Sequence, residues 1–396
     1  MKHYYTYFNN FKYKSKVTDF ERFLLSGGED GQAESHLTEN SDRITRLIDF
    51  NHYTSKDKLN FKSIERNVLW MNTILDNMEL NENNKENYYT TFTIPKATGG
   101  VRTIEAPDEP LKHIQRSIVY LLKHKIYLLE HNNAHAYVEG KGIHTNAEYH
   151  RKSNHFAKVD FSNFFPKINT LFLKEILPKL GFFTNIFSEE GKDIMQGLLD
   201  LIIRASTLRD GLPQGAVTSP YLSNLIMIPF DYHMVEYLRK NHPNIIYTRY
   251  ADDITFSSYY AFADRKEDAK TFVEGLVQHI INEHYTIDND VMLHINHEKT
   301  RISTKFGKNR VTGIKINKDN KLSIGYKEKQ ELKQNLASLI IAKKKGDEIN
   351  ESHKDEILGM FAHLNNIEPK YARFVESRLL RKFNIQFRTI RRYLSN

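Results

Sequence analysis

The alternation of apolar and polar positions changes period along the chain. Up to residue 90 the apolar residues fall at helical spacing, in RITRLIDF from Arg43 and in FKSIERNVLWMNTILDNM from Phe61. Polar breaks at residues 26–42, with three glycines, and 81–87 bound these segments, so this part is predicted to be helical and separable. From Tyr88 the stretch YYTTFTIPKATGGVRTIEAPD alternates β-formers around Thr98, Gly99 and Gly100, the pattern of a hairpin, and a helix follows from Leu111. A basic, glycine-marked segment ends at His150. Then come a short strand FAKVDF, a helix over 171–179, the loop RDGLPQGAVTSP and a helix over 221–239. YTRYADDITFSS, from Tyr247, reads as strand, tight turn, strand; a helix over 264–284 and short strands in TRIST, RVTGIKI and KLSIG follow. Residues 327–396 read as three helices. Helices with small strands in this order predict an α+β chain without internal repeats.

At 396 residues, 40% hydrophobic and 12% aromatic, the chain can bury a substantial core. No apolar run approaches the roughly 18–20 residues of a membrane span, and MKHYYTYFNN lacks the apolar stretch of a signal peptide. The chain is therefore read as cytoplasmic, with no membrane partner. The absence of cysteine excludes disulfides and thiolate metal sites and leaves oxygen or imidazole ligands, which favours hard cations such as Mg²⁺. His131 and His135 have helical spacing for a metal but no third ligand, so no zinc is expected there. The formal charge of +8 is uneven: residues 1–90 hold 12 Lys/Arg against 14 Asp/Glu, so residues 91–396 carry +10. With 24 Phe and 22 Tyr, that balance fits either a phosphate-rich partner with bases to stack on or an ordinary basic protein.

Asp252 and Asp253 stand side by side between two apolar runs. Such pairs are usually surface turns, but IIYTRY and ITF are apolar enough to be buried strands, which would fix both side chains. Asp160, in KVDFSNFF, ends another short apolar strand. If that strand pairs beside the hairpin, three carboxylates converge. Without a cation they would raise one another's pKa, whereas two divalent ions about 3.5–4 Å apart would neutralise them and serve in-line displacement at phosphate. The other reading is two unrelated acidic turns.

These segments resemble reverse transcriptases, whose palm carries a catalytic Asp followed by an aromatic, then a PQG loop, then a YxDD hairpin. Here VDFSNFF supplies Asp160 and Phe165, GLPQGAVTSPYLSN supplies Gln214, and RYADD supplies Tyr250, Asp252 and Asp253. The resemblance covers roughly residues 90–390. It implies a right-hand α+β polymerase: a helical N-terminal extension at 1–90, fingers at 91–155, a palm with a small antiparallel sheet at 156–325 carrying part of the fingers as an insertion, and a helical basic thumb at 326–396. It further implies that Asp160, Asp252 and Asp253 hold two Mg²⁺ ions, with Mn²⁺ as a substitute. Lys96 and Arg102, in IPKATGGVRTIEAPD, would grip the triphosphate of an incoming dNTP. Phe165 would lie under the sugar and exclude a 2′-hydroxyl, Gln214 would pack against nucleotide and template, and Lys299, in INHEKTRIS, would protonate the leaving pyrophosphate. By residue type alone the same positions also fit a basic hairpin, a core phenylalanine, a helix-entry turn and a surface lysine.

Two more segments fit the retron branch of that family. Asn146, Ala147 and His150 in TNAEYH match its NAxxH signature, and Val311, Thr312 and Gly313 in NRVTGIKIN match its VTG triplet. Asn146, His150 and Thr312 are expected to hydrogen-bond RNA, with packing against the palm as the other reading of His150. Residues 370–396 hold eight Lys/Arg against one Glu with aromatics interleaved, so Arg378, Arg381, Arg388 and Arg391 are expected to track a duplex backbone. This is expected to be the last domain, with no RNase H, endonuclease or maturase-type extension. The resemblance implies an RNA-directed DNA polymerase that binds its own structured noncoding RNA and starts from a guanosine 2′-OH in it. The product would be a branched RNA–DNA, made for phage defence with an associated effector protein. The alternatives are another bacterial reverse transcriptase, of defence-associated, CRISPR-linked or diversity-generating type, and a noncatalytic RNA-binding scaffold of polymerase shape.

Overall fold

The computed structural model describes residues 61–96, 99–125, 131–180, 189–287, 290–307 and 309–395. The helix expected from Arg43 and the linker expected over 26–42 lie outside the described residues. Helix α1 (Phe61–Asn77) forms as its apolar spacing predicts, but it does not stand apart. Its stripe of Ile64, Val68, Met71 and Leu75 is buried in the same core as the central sheet. A Cβ on Gly197 would meet Val68 at 3.4 Å, and Arg204 bonds Asp76 at 2.7 Å. The expectation of a separable segment is thus corrected for residues 61–80: an amphipathic stripe needs a partner, and here the partner is the main body.

Strands β1 (Tyr89–Pro95) and β2 (Val101–Pro107) pair as the expected hairpin, with Pro95 opposite Val101. Helix α2 (Glu109–Tyr120) is capped by Asp108, which accepts from the Leu111 amide at 3.0 Å. Next come α3 (Ile143–Tyr149), β3 (His155–Asp160), a single helical turn at Phe164–Lys167, α4 (Thr170–Ile176) and α5 (Glu189–Ser206). The helix expected over 221–239 is two, α6 (Thr218–Ile226) and α7 (Ile228–Asn241). Pro229, which has no amide to give, sits in the first turn of the second. β4 (Ile245–Tyr250), β5 (Asp253–Ser258) and α8 (Lys266–His284) follow, then a small hairpin of β6 (Thr286–Ile287) and β7 (Asp290–Val291). β8 (Arg301–Thr304) precedes a second small hairpin, β9 (Lys315–Ile316) with β10 (Leu322–Ser323). The C-terminal part holds four helices where three are expected: α9 (Tyr326–Lys345), α10 (Glu351–Ile367), α11 (Pro369–Lys382) and α12 (Ile390–Ser395). Asn384, at φ +49, lies in the break before the last.

The central sheet is antiparallel throughout, in the order β4-β5-β3-β8. Alternation gives it two unlike faces. Tyr247, Ile254, Phe256, Ala157 and Val159 are buried in the main core with α1 and α5 to α8. The other face carries Thr248, Tyr250, Asp253, Thr255, Ser257, Lys158 and Asp160 in adjoining rows. A second core joins Phe156 of that face and Ile143 and Ala147 of α3 to α9 through α12.

Candidate active site

The turn between β4 and β5 puts Ala251 at φ +58, a left-handed conformation uncommon outside glycine. Arg249, fully buried, holds it there. Its Nε donates to Asp231 Oδ1 at 2.9 Å and its Nη2 to Oδ2 at 2.7 Å, while Nη1 donates to Asn224 Oδ1 and to the Ala251 carbonyl, both at 3.1 Å. The Tyr247 hydroxyl donates to Asp231 at 2.5 Å. A buried ion pair is stable when its remaining hydrogen bonds are made, as they are here, and this one ties the turn to α7. Sequence reading passed over Arg249 and Asp231. The available signal was a charged residue at an inward strand position.

Register sets Asp160 directly opposite Asp253, with Tyr250 opposite Asp253 on the other side. The carbonyl of Asp252, in the turn, accepts from the Phe161 amide at 3.3 Å. Three carboxylates therefore share one end of the sheet, and two have lysine partners. Lys158 Nζ lies 2.7 Å from Asp253 Oδ2, and Lys299 Nζ 2.7 Å from Asp160 Oδ1. Burial, then the charges of Asp253 and Asp160, push the Asp252 carboxyl up to about 7. Burial also raises Asp160, against the hydrogen bond from Lys299. The same burial pulls Lys299 down, but its bond to Asp160 and the nearby carboxylates leave it above the ordinary lysine value. Among the described residues no three His, Asp or Glu side chains form a ready-made cation cage. The donor set is nonetheless all carboxylate, and Asp252, half-buried, stands beside two further carboxylates whose charge a cation would offset. A hard divalent ion fits such a set.

The other predicted residues lie on other elements. Phe165, half-buried, stands edge-on to Phe164 with ring centroids 5.6 Å apart, and its carbonyl accepts from the Leu212 amide at 3.2 Å. Two residues on, the Gln214 carbonyl accepts from the Glu105 amide at 2.9 Å, joining the PQG loop to β2. Gly215 is required there: at φ +142 its Cβ would stand 2.5 Å from the Glu105 carbonyl oxygen. Arg209 braces the junction with ion pairs to Glu86, at 2.7 Å, and to Glu105. Lys96 is exposed and Arg102 half-exposed at the turn end of the hairpin, where Arg102 faces Ile94. Arg378 and Arg381 on α11, Arg391 on α12 and Arg388 just before it are all exposed.

A sequence profile described as "Reverse transcriptase (RNA-dependent DNA polymerase)" matches residues 94–352. The chain belongs to the reverse transcriptase family. It is 31% identical over 294 residues to the retron Ec83 reverse transcriptase of Escherichia coli, covering 74% of this chain and 86% of that one, which places it in the retron branch. To the retron Mx65 reverse transcriptase of Myxococcus xanthus it is 28% identical over 292 residues, 72% of this chain and 62% of that one. Among solved structures, apo telomerase from Candida tropicalis aligns with a TM-score of 0.41 and 13% identity over 78% of this chain and 67% of that one. As a reverse transcriptase the protein is an RNA-directed DNA polymerase of right-hand fold, from a family that uses an RNA template and divalent metal ions. No helix among the described residues is long and apolar enough to cross a membrane.

In this reverse transcriptase the two retron signature segments meet in the interior. Asn146 and His150 are 0% exposed and Thr312 is 5% exposed, so the expectation that they bond RNA is corrected. The Thr248 hydroxyl donates to Asn146 Oδ1 at 2.5 Å, so its oxygen accepts from His150 Nε2 at 2.7 Å. His150 Nδ1 must then accept from the Ser257 hydroxyl at 2.7 Å, and Ser257 from Ser153 at 2.8 Å. Asn146 Nδ2 donates to Thr312 at 3.4 Å, and Thr312 to the Ile143 carbonyl at 3.3 Å. Burial holds the imidazole down to about 3, so it stays neutral and carries the single proton that this chain of bonds requires. Asn146 of α3 and His150, which caps its end, are thus used up by polar positions on β4, β5 and the VTG turn.

Proposed function

We propose that this reverse transcriptase copies part of its own structured noncoding RNA. It starts from a guanosine 2′-OH in that RNA, leaves a branched RNA–DNA product, and serves antiphage defence with an associated effector protein. The observation that supports the polymerase chemistry best is Asp160 set opposite Asp253, with Asp252 raised to about 7 beside them. Two Mg²⁺ ions on these aspartates, replaceable by Mn²⁺, would lower the pKa of the attacking hydroxyl and stabilise the leaving pyrophosphate. Asp252 and Asp160 are the principal ligands and Asp253 shapes the site. Lys299, kept charged against Asp160, would give a proton to pyrophosphate. Phe165 bounds the sugar pocket and excludes a 2′-hydroxyl, and Gln214, whose backbone carbonyl accepts from the Glu105 amide, packs against nucleotide and template. Lys96 and Arg102 on the fingers hairpin take the triphosphate, and Arg378, Arg381, Arg388 and Arg391 follow the duplex backbone. Fingers at 91–155, palm at 156–325 and thumb at 326–396 are the matching divisions.

The nucleic acid that co-purifies with the protein tests the retron reading: a short branched RNA–DNA supports it, and bulk RNA alone counts against it. Unchanged dNTP incorporation by the Asp252→Asn variant would remove the catalytic assignment. Phe165→Ala should relax the exclusion of ribonucleotides, measured as the ratio of rNTP to dNTP incorporation; an unchanged ratio sinks the gate role.

A further inference from the structure

Lys158 and Asp160 stand two residues apart on β3, so their side chains leave the same face of the sheet. Register then sets Thr255 opposite Lys158 on one side, Arg301 on the other, and Asp253 diagonally across. Arg301, a like charge directly opposite, turns its guanidinium to the carbonyls of Glu298 and Thr300. Lys158 turns to Asp253, donating to Oδ2 at 2.7 Å. Lys299 differs: it comes from a turn and is 58% exposed, against 32% for Lys158. An ammonium carried on a central strand and two-thirds covered has little freedom to leave its partner.

We propose that Lys158 is a positioning residue of the active site. It fixes Asp253 through one carboxylate oxygen, leaves Asp160 and Asp252 as the chief ligands of divalent ions, and holds down the cation affinity of the cluster. This rests on the reading of the three aspartates as metal ligands. A fixed positive charge a few ångströms from a divalent ion opposes its binding, most strongly where water is partly excluded. Removing that charge makes the cluster one unit more negative and frees Asp253 Oδ2. Divalent ions then bind more tightly, while Asp253 loses its orientation and turnover falls. Loss of a merely structural support would weaken both together.

The test uses the full chain with Lys158→Met, Lys158→Gln and Lys158→Arg, reading Mn²⁺ binding by titration calorimetry without nucleic acid, and dNTP incorporation on poly(rA)/oligo(dT). The two neutral variants should bind Mn²⁺ about fivefold or more tightly, and Lys158→Met, which leaves Asp253 without its donor, should incorporate about tenfold or more slowly. Lys158→Arg should keep the parent Mn²⁺ affinity. Unchanged or weaker Mn²⁺ binding in the neutral variants overturns the proposal, and Lys158→Gln, which keeps a donor for Asp253, carries the test if the Met variant does not fold. Asp252→Asn separates the two readings. If it binds Mn²⁺ and synthesises DNA like the parent, the metal reading falls and this inference with it. If it loses both while the neutral Lys158 variants bind Mn²⁺ like the parent, only the role of Lys158 falls.

Discussion

Asp252 is a carboxylate whose position works against the folded state. Its folded value of about 7 stands above the ordinary 3.8, so between those values the folded chain binds a proton that the unfolded chain has released. The stabilising contribution is complete below 3.8 and is lost as pH rises through about 7. Asp252→Asn should therefore resist urea better than the parent at pH 8, by a few kcal/mol at most on the order set by such a shift, with the gap closing toward pH 4. The same variant should lose at least about a thousandfold in dNTP incorporation. His150 has the opposite sign. Its value is lowered from 6.5 to about 3, so the stability it contributes is present above 6.5 and is lost as pH falls toward 3. The two aspartates of the turn were legible in the sequence because their flanks are strand-forming and apolar. Arg249 was not, because its reason lies in Asp231, a residue of α7 that only folding brings beside it.

Among the elements, the β4–β5 hairpin, β3 and the fingers hairpin were readable from alternation, because each strand shows an apolar face over its own few residues. What α3 packs against was not. Asn146 on a short helix and His150 at its C-terminal cap resemble a surface, and the hydroxyls that consume them, Thr248 and Ser257, lie about a hundred residues further along the chain. His150→Ala leaves the Ser257 proton and one acceptor site of Thr248 unpaired in the interior and should cost roughly 2–4 kcal/mol, read from the urea midpoint. Its RNA affinity, measured where the variant is folded, should stay near the parent value. Gly215→Ala forces the PQG loop off β2, since its Cβ would stand 2.5 Å from the Glu105 oxygen. The expected result is a raised KM for dNTP with a smaller change in urea midpoint.

At the scale of the whole molecule, the sheet stands between two cores, one under its apolar face and one shared by α3, the VTG turn and the C-terminal helices. The basic residues of the last helices stay on the outside of the second core, which is why their exposure was legible from composition while the position of α1 was not. Replacing Arg378, Arg381, Arg388 and Arg391 together by alanine should weaken RNA–DNA binding and make the slope of log affinity against log salt shallower by about 3. Fluorescence anisotropy at several salt concentrations measures it. The hydrogen bonds from Ser153 through Ser257, His150, Thr248, Asn146 and Thr312 run in a single direction, each hydroxyl after Ser153 giving one proton and taking another. Such a chain behaves in inheritance as one character. A change at any link after Ser153 that cannot both give and take strands the links on either side, so those five positions are free to drift only as a set.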